Sequence, residues 1–196
     1  SLWIFPILVL PGHSNEGRCD PNKMRASSLQ IPYINIAAQH APIKAELLDA
    51  IGQVIDHGQF ILGEEVSEFE RLFANLCGVR YAVGVNSGSD ALILALRAVG
   101  IGHGDEVITI PNSFIATAAC IQLIGAKPVF VDVREDYNID PEKIETAITT
   151  RTKAILPVHL TGRPCDMDPI VELAKKKGLR FVEDCAQAVT AEYMDR

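Results

Sequence analysis

From Ile31 to the end of the chain, apolar residues follow two alternating periods. Short apolar runs rich in β-branched residues predict strands, and longer segments with apolar residues every three or four positions predict helices. The predicted strands are Tyr81–Val85, Glu106–Ile110, Lys127–Val133, Lys153–Leu160 and Arg180–Asp184. The predicted helices are Pro42–Asp56, Ser67–Gly78, Ser89–Val99, Phe114–Ile124, Pro141–Thr149 and Asp168–Lys177.

This alternation of strands and helices predicts the fold class. Connections of this length join parallel strands through right-handed crossovers, and the nearly continuous apolar strands indicate a sheet covered on both faces. We therefore predict an α/β fold, with a mostly parallel sheet flanked by helices. Ser67 followed by Glu70 also predicts a capping box at the start of the second helix, and Gly78 predicts its end.

The first thirty residues differ from the rest. The apolar run Leu2–Leu10 is too short to span a bilayer and is interrupted by Pro6, and no basic segment of a secretory signal precedes it. We expect residues 1–30 to be a non-native or disordered extension, and we restrict the prediction of the fold to residues 31–196.

Composition narrows the possible partners. The chain has 196 residues, 48% of them hydrophobic, and a formal net charge of −7. That charge disfavours binding to nucleic acid or to an anionic membrane surface, although a small phosphorylated ligand senses only the local field. The five cysteines form no CxxC pair and no regular spacing, so we expect no metal site and a reducing, cytoplasmic environment.

Ligands of such sheets bind beyond the carboxyl ends of the strands, so the residues after each predicted strand are the candidates. In "NSGSD", Gly88 allows a tight turn into a helix, and the helix amides with the Ser87 and Ser89 hydroxyls form a phosphate cup. A plain turn with a serine N-cap is the alternative. In "PNSF", Phe114 either stacks on a flat heterocycle or is a core aromatic residue.

The segment "VEDCAQA" carries the sharpest chemical signal. Asp184 follows the strand, where a carboxylate can hold a proton on a ring nitrogen, and Gln187 can donate to a ring oxygen. This pairing suits pyridoxal 5′-phosphate, whose protonated pyridine ring accepts electrons from a carbanion. Glu183 alternates to the other face and is expected to be structural. Asp184 as a simple helix N-cap is the alternative. His159 is a candidate for contacting substrate or orienting the ring, and a structural histidine is the alternative there.

Taken together, the ordered segments "FILGEEVSEFE", "GVNSGSDAL", "GIGHGDEVITIPNSFIATA", "PVFVDV", "YNIDPEKIETAIT", "RTKAILPVHLTG", "CDMDPI" and "VEDCAQA" resemble the DegT/DnrJ/EryC1/StrS sugar aminotransferases. The resemblance runs from about Ile31 to Arg196. It implies the pyridoxal-phosphate transferase fold of type I, with residues 31–196 as an incomplete large domain. The chain departs from the family at Thr161, where an aromatic residue is common, and at Val189 and Thr190, where His-Gly or similar small residues are frequent.

The resemblance also implies roles for individual residues. Gly88 and Ser89 would hold the cofactor phosphate, Phe114 would stack on the ring, Asp184 would pair with the pyridine nitrogen, and Gln187 would bond the ring hydroxyl. The usual substrate of the family is a nucleotide-linked keto-sugar, with glutamate as amino donor. A homodimer is implied, with the loop at Gln59–Gly63 near a dimer-related active site.

The resemblance further implies a Schiff-base lysine that follows the Asp-x-x-Gln motif by some tens of residues. We expect that lysine beyond Arg196, no catalytic residue within this chain, and at most weak binding of the cofactor. Three alternatives remain. They are a dehydratase-type relative with histidine in place of lysine, a non-catalytic half-protein that pairs with a full-length partner, and a nucleotide-sugar oxidoreductase. The last of these would need a GxGxxG motif, and the segment "VGVNSGSDAL" lacks it.

Overall fold

The computed structural model describes residues 32–195. They divide into a smaller unit that ends at Glu65 and a larger unit that begins at Val66. The extension predicted for residues 1–30 lies outside the described residues.

The smaller unit is helical. A short helix, α1 (Ile36–His40), leads through a 3₁₀ turn (Ala41–Ile43) into α2 (Lys44–His57). The amphipathic helix predicted over Pro42–Asp56 is thus confirmed, with its start moved to Lys44 because Pro42 lies in the 3₁₀ turn. Helix α2 is terminated by its C-cap residue Gly58, which has the left-handed backbone conformation that residues with a side chain rarely adopt.

The larger unit contains a four-stranded sheet of β1 (Glu106–Thr109), β2 (Lys127–Phe130), β3 (Thr152–Ile155) and β4 (Arg180–Phe181). The strand order is β2-β1-β3-β4, and every described pair is parallel. Strands β3 and β4 are shorter than predicted, but a parallel bridge between Val158 and Asp184 continues their pairing. The predicted parallel sheet is confirmed.

Helices cover both faces of this sheet. The helices that do so are, in chain order, α4 (Gly88–Ala98), α5 (Ile115–Leu123), α6 (Pro141–Ala147) and α7 (Met167–Lys177). On one face, Val107 of β1 packs with Leu96 of α4 and Ile121 of α5. On the other, Ile108 of β1 packs with residues of α6 and α7. Successive β1 residues alternate between the two clusters, as the pleat of a strand requires.

One predicted strand is wrong. Residues Tyr81–Val85 have no regular structure and pair with no strand among the described residues, and the side chains of Tyr81, Val83 and Val85 are exposed. A β-strand forms only where another strand pairs with it, and a local apolar pattern does not show whether such a partner exists. The segment is held instead by Glu70, whose carboxylate accepts a hydrogen bond from the Gly84 amide at 2.7 Å.

The predicted capping box at Ser67 is also wrong. Helix α3 spans Glu64–Leu76, so Ser67 lies inside it. Glu64 and Glu65 occupy the first turn, where carboxylates interact favourably with the helix dipole. Glu70, the other member of the expected box, is the residue that holds Gly84. The end predicted near Gly78 is confirmed within two residues.

At the amino end of the sheet, Glu106 is buried and fully paired. Its carboxylate accepts hydrogen bonds from the Thr149 hydroxyl at 2.5 Å and from the Arg151 guanidinium at 2.8 Å. These two contacts, and Lys127 3.8 Å away, lower the pKa of Glu106. This cluster lies at the opposite end of β1 from the candidate site, so we assign it to stability.

Candidate functional site

The start of α4 carries the predicted phosphate-binding turn. The Ser87 hydroxyl accepts the Asp90 amide at 3.1 Å and donates to the Asp90 carboxylate at 3.0 Å, so it is engaged as the N-cap. The amides of Gly88 and Ser89 donate to no described residue. No heavy atom lies within 4 Å of where a Cβ on Gly88 would stand, so the turn is open on that side. These two amides, at a helix start, are suited to an anion.

Asp184 is half-buried beside the sheet and is anchored at four points. Its amide donates to the Pro157 carbonyl at 3.0 Å, and its own carbonyl accepts the His159 amide at 3.1 Å. On the side chain, Oδ2 accepts the Thr117 hydroxyl at 3.3 Å and Oδ1 accepts the Ala186 amide at 3.2 Å. The carboxylate therefore has a fixed position at the carboxyl ends of β3 and β4.

Helix α5 joins Asp184 to the α4 turn. Thr117 contacts Asp184, and Cys120, nearly one helical turn further along, donates its thiol hydrogen to the Ser89 carbonyl at 3.3 Å. Burial raises the pKa of Cys120, which keeps the thiol protonated as a donor. One face of α5 thus brings Ser89 and Asp184 to the same side of the sheet.

Phe114 precedes α5 as its N-cap residue, and 68% of its surface is exposed. An aromatic side chain with that exposure is not a core residue, which was the alternative from the sequence. It lies at the start of α5, the same helix that carries Thr117 and Cys120. The ring is available to cover a flat ligand.

Gln187 lies on an exposed loop and is oriented by the turn after β3. Its Oε1 accepts the Thr161 amide at 2.7 Å, and its Nε2 donates to no described residue. The side-chain amide therefore keeps its hydrogens for another acceptor, as a contact with a ring oxygen would need.

Two asparagines, which sequence reasoning missed, connect the loops around this site. Asn112, after β1, donates to the Tyr137 carbonyl at 3.1 Å. Asn138 is 1% exposed; its Oδ1 accepts the Leu160 amide at 3.1 Å, and its Nδ2 donates to the Arg163 carbonyl at 3.0 Å. We call these two residues the rim asparagines. They tie together the loops that follow β1, β2 and β3.

His159, predicted as a substrate contact, is only 4% exposed, and both ring nitrogens are bonded. Nδ1 accepts the Cys165 amide at 2.9 Å, so the ring proton sits on Nε2, which lies 3.0 Å from the Glu183 carboxylate. This burial and bonding favour a structural role that holds the segment before Asp184. Glu183 is a partner of His159, in agreement with the structural role expected for it.

Ligand atoms of His159, Glu183 and Cys185 lie within 4.8 Å of one another, a composition that suits a metal ion. Binding through Nε2 would require the ring proton on Nδ1, where it would face the Cys165 amide hydrogen. The histidine is therefore oriented as a hydrogen-bond bridge and not as a ligand.

Backbone strain marks two departures from the family pattern, Thr161 with φ of 55° and Thr190. Thr190 has φ of 64°, in a left-handed region that is costly for a β-branched residue. We expect Thr190→Gly to raise the free energy of unfolding by roughly 1 kcal/mol in chemical denaturation, because glycine removes the Cβ clash. Thr190→Ala keeps the Cβ and is the matched control. An equal gain from alanine would contradict strain as the cause.

Four described lysines of the larger unit lie away from this site or are paired. Lys127 and Lys153 lie at the amino ends of β2 and β3, as expected from the sequence. Lys143 is 3.2 Å from the Asp132 carboxylate, and Lys177 is 2.9 Å from that of Glu145.

No helix in residues 32–195 has the length and apolar character needed to cross a bilayer.

The parallel sheet with helices on both faces has the fold of the large domain of pyridoxal-phosphate transferases of type I. Comparison with known proteins identifies the family. The sequence model of the DegT/DnrJ/EryC1/StrS aminotransferase family matches residues 41–196, and the chain belongs to this family.

Named relatives agree with this assignment. The chain is 52% identical over 163 residues to the UDP-N-acetyl-3-dehydro-alpha-D-glucosamine 3-aminotransferase of Acidithiobacillus ferrooxidans, covering 83% of this chain and 44% of that protein. DesV of Streptomyces venezuelae, solved with a ketimine intermediate, superimposes with a TM-score of 0.82 at 48% identity, covering 85% of this chain and 45% of DesV. NtdA of Bacillus subtilis, solved with the cofactor PMP, superimposes with a TM-score of 0.80 at 36% identity, covering 85% of this chain and 39% of NtdA. The chain spans about half the length of the curated relatives it matches.

Proposed function

We propose that this chain is the cofactor-binding part of a pyridoxal-phosphate-dependent aminotransferase. The proposed substrate is a nucleotide-linked keto-sugar, with glutamate as amino donor, in the cytoplasm. The observation that carries the proposal is the convergence on α5: Thr117 contacts Asp184 while Cys120 contacts Ser89. The two ends of one ligand, an anionic end and a basic ring, thereby have partners on the same side of the sheet.

The residues present offer partners for the phosphate, the ring face and the ring hydroxyl of the cofactor, which supports the proposal. The Gly88 and Ser89 amides would bind the phosphate, and the helix dipole of α4 adds to that attraction. Phe114 would cover one face of the ring and exclude water from it. Gln187 would donate through Nε2 to the ring hydroxyl, since its Oε1 already accepts from Thr161.

Asp184 would hold a proton on the pyridine nitrogen. The bound cofactor supplies a ring that withdraws electrons from the carbon that bears the amino group, and a protonated nitrogen is required for that property. A carboxylate anchored at both oxygens is suited to this task because it keeps its charge in one place. We propose that the Schiff-base lysine follows Arg196.

The experiment is a titration of the chain with pyridoxamine 5′-phosphate, which needs no lysine to bind. Asp184→Asn is expected to weaken binding by roughly 10- to 100-fold, because a hydrogen bond to a charged partner contributes about 1.5–3 kcal/mol. Cofactor fluorescence or calorimetry measures the dissociation constant.

Asp132→Asn is the matched control, because its exposed carboxylate already pairs with Lys143. This variant is expected to bind the cofactor as the unchanged chain does. Absence of binding by the unchanged chain, or equal affinity of Asp184→Asn, would overturn the proposed function.

A homodimer is part of the same proposal. In the loop at Gln59–Gly63 the side chains of Phe60, Ile61 and Leu62 are all exposed. Three consecutive exposed apolar side chains are characteristic of an interaction surface. We propose that this loop contacts a second copy of the chain, as the resemblance to the family implies.

A further inference from the structure

Thr117 is a buried hydroxyl residue that contacts Asp184, the carboxylate proposed to bind the cofactor. It is 2% exposed, and its hydroxyl donates to Asp184 Oδ2 across 67 residues of sequence. The Ser113 hydroxyl lies 2.9 Å from Thr117 Oγ1. Since Thr117 uses its only hydrogen on Asp184, Ser113 is the donor of that pair, and the chain of hydrogen bonds runs from Ser113 through Thr117 to Asp184.

The backbone of Asp184 is already fixed by the Pro157 carbonyl and the His159 amide. What remains free is rotation about the side-chain bonds, and Thr117 restrains it at Oδ2 while the Ala186 amide binds Oδ1. Threonine is itself restricted about χ1 within a helix, so its hydroxyl is a stiff anchor.

We propose that Thr117 is a positioning residue that orients Asp184 toward the ring nitrogen. This inference rests on the proposed function for the identity of the ligand. Thr117 touches neither cofactor nor substrate in this proposal; it acts only through the carboxylate, with Ser113 as its support. A competing role is packing alone, in which the methyl group of Thr117 fills the space beneath α5.

The first test is a double-mutant cycle on binding of pyridoxamine 5′-phosphate. Thr117→Val keeps the shape but removes the donor, and it is expected to weaken binding about three- to tenfold. Thr117→Ser is expected to retain most of the affinity. In the Asp184→Ala background, Thr117→Val is expected to have no further effect, since its target is gone. An additive effect in that background would overturn the proposal.

The second test needs no cofactor. The side-chain carboxylate carbon of Asp184, assigned through its loss in Asp184→Asn, is expected to change its NMR chemical shift in Thr117→Val. Thr146→Val is the matched control, because this exposed hydroxyl bonds only the Lys143 carbonyl of its own helix. An unchanged Asp184 resonance in a folded Thr117→Val protein overturns the role of Thr117. Absent cofactor binding by the unchanged chain, in contrast, counts against the proposed function.

Discussion

Replacement of Ile155 by alanine is expected to lower the free energy of unfolding by about 3–4 kcal/mol, the largest effect of any single change proposed for this chain. Ile155 is fully buried in the centre of the sheet, in register with Ile108 of β1 and Phe181 of β4. Alanine removes three carbons from a cluster that also contains side chains of α6 and α7, and the neighbours fill that space only in part. Urea denaturation of the larger unit measures the change.

Two variants calibrate this result. Ile155→Val removes one methylene group and is expected to cost about 1 kcal/mol. Ile115→Ala, at an exposed isoleucine in the first turn of α5, is expected to change stability by less than about 0.5 kcal/mol. A loss at Ile155→Ala no larger than that at Ile115→Ala would contradict the placement of β3 in the core.

Replacement of Asn138 by alanine is expected to cost roughly 2–4 kcal/mol, because it removes a buried side chain that makes three hydrogen bonds to the backbone of the loop after β3. The side chain accepts the Leu160 amide and donates to the Arg163 and Pro164 carbonyls. Loss of these bonds separates the loop after β2 from the loop after β3. Denaturation measures the stability, and faster hydrogen exchange at the Leu160 amide locates the change.

The other rim asparagine provides the control. Asn112 is exposed and makes one bond, to the Tyr137 carbonyl, so Asn112→Ala is expected to cost at most about 1 kcal/mol. If both asparagines cost the same amount, burial is not the reason for the effect, and Asn138 loses its proposed role in the rim.

The sequence allowed the sheet to be predicted where strands are buried on both faces. Strand β1 is an example, since all four of its residues are buried and the apolar pair Val107 and Ile108 lies at its centre. The same reasoning failed at Tyr81–Val85, whose composition is typical of a strand but whose pairing depends on distant residues. It also failed at the start of α3, because Glu64 and Glu65 stabilise the first helical turn ahead of Ser67.

The candidate site divides in the same way. Gly88 was singled out because it lies at the start of a helix, and Asp184 and Gln187 because they lie at or beyond the end of a strand; their binding roles stay predictions. Thr117 and Asn138 could not be singled out, since their polar partners lie 67 and 22 residues away in the chain. Polar letters within apolar segments, the threonine of "FIATA" and the asparagine of "YNID", were the available signal. The sequence left a substrate contact and a structural role open for His159, because the burial that favours the structural role depends on its contacts with Cys165 and Glu183.

The segment Tyr81–Val85, which pairs with no strand among the described residues, leads through two residues into the start of α4 at Gly88. A β-strand that paired with it would restrict the backbone only three residues from the amides proposed to bind phosphate. Pairing and phosphate affinity would then be thermodynamically linked: each would favour the other by the same factor. Strand pairing at this segment and binding of the cofactor would in this way stabilise each other through one short stretch of chain.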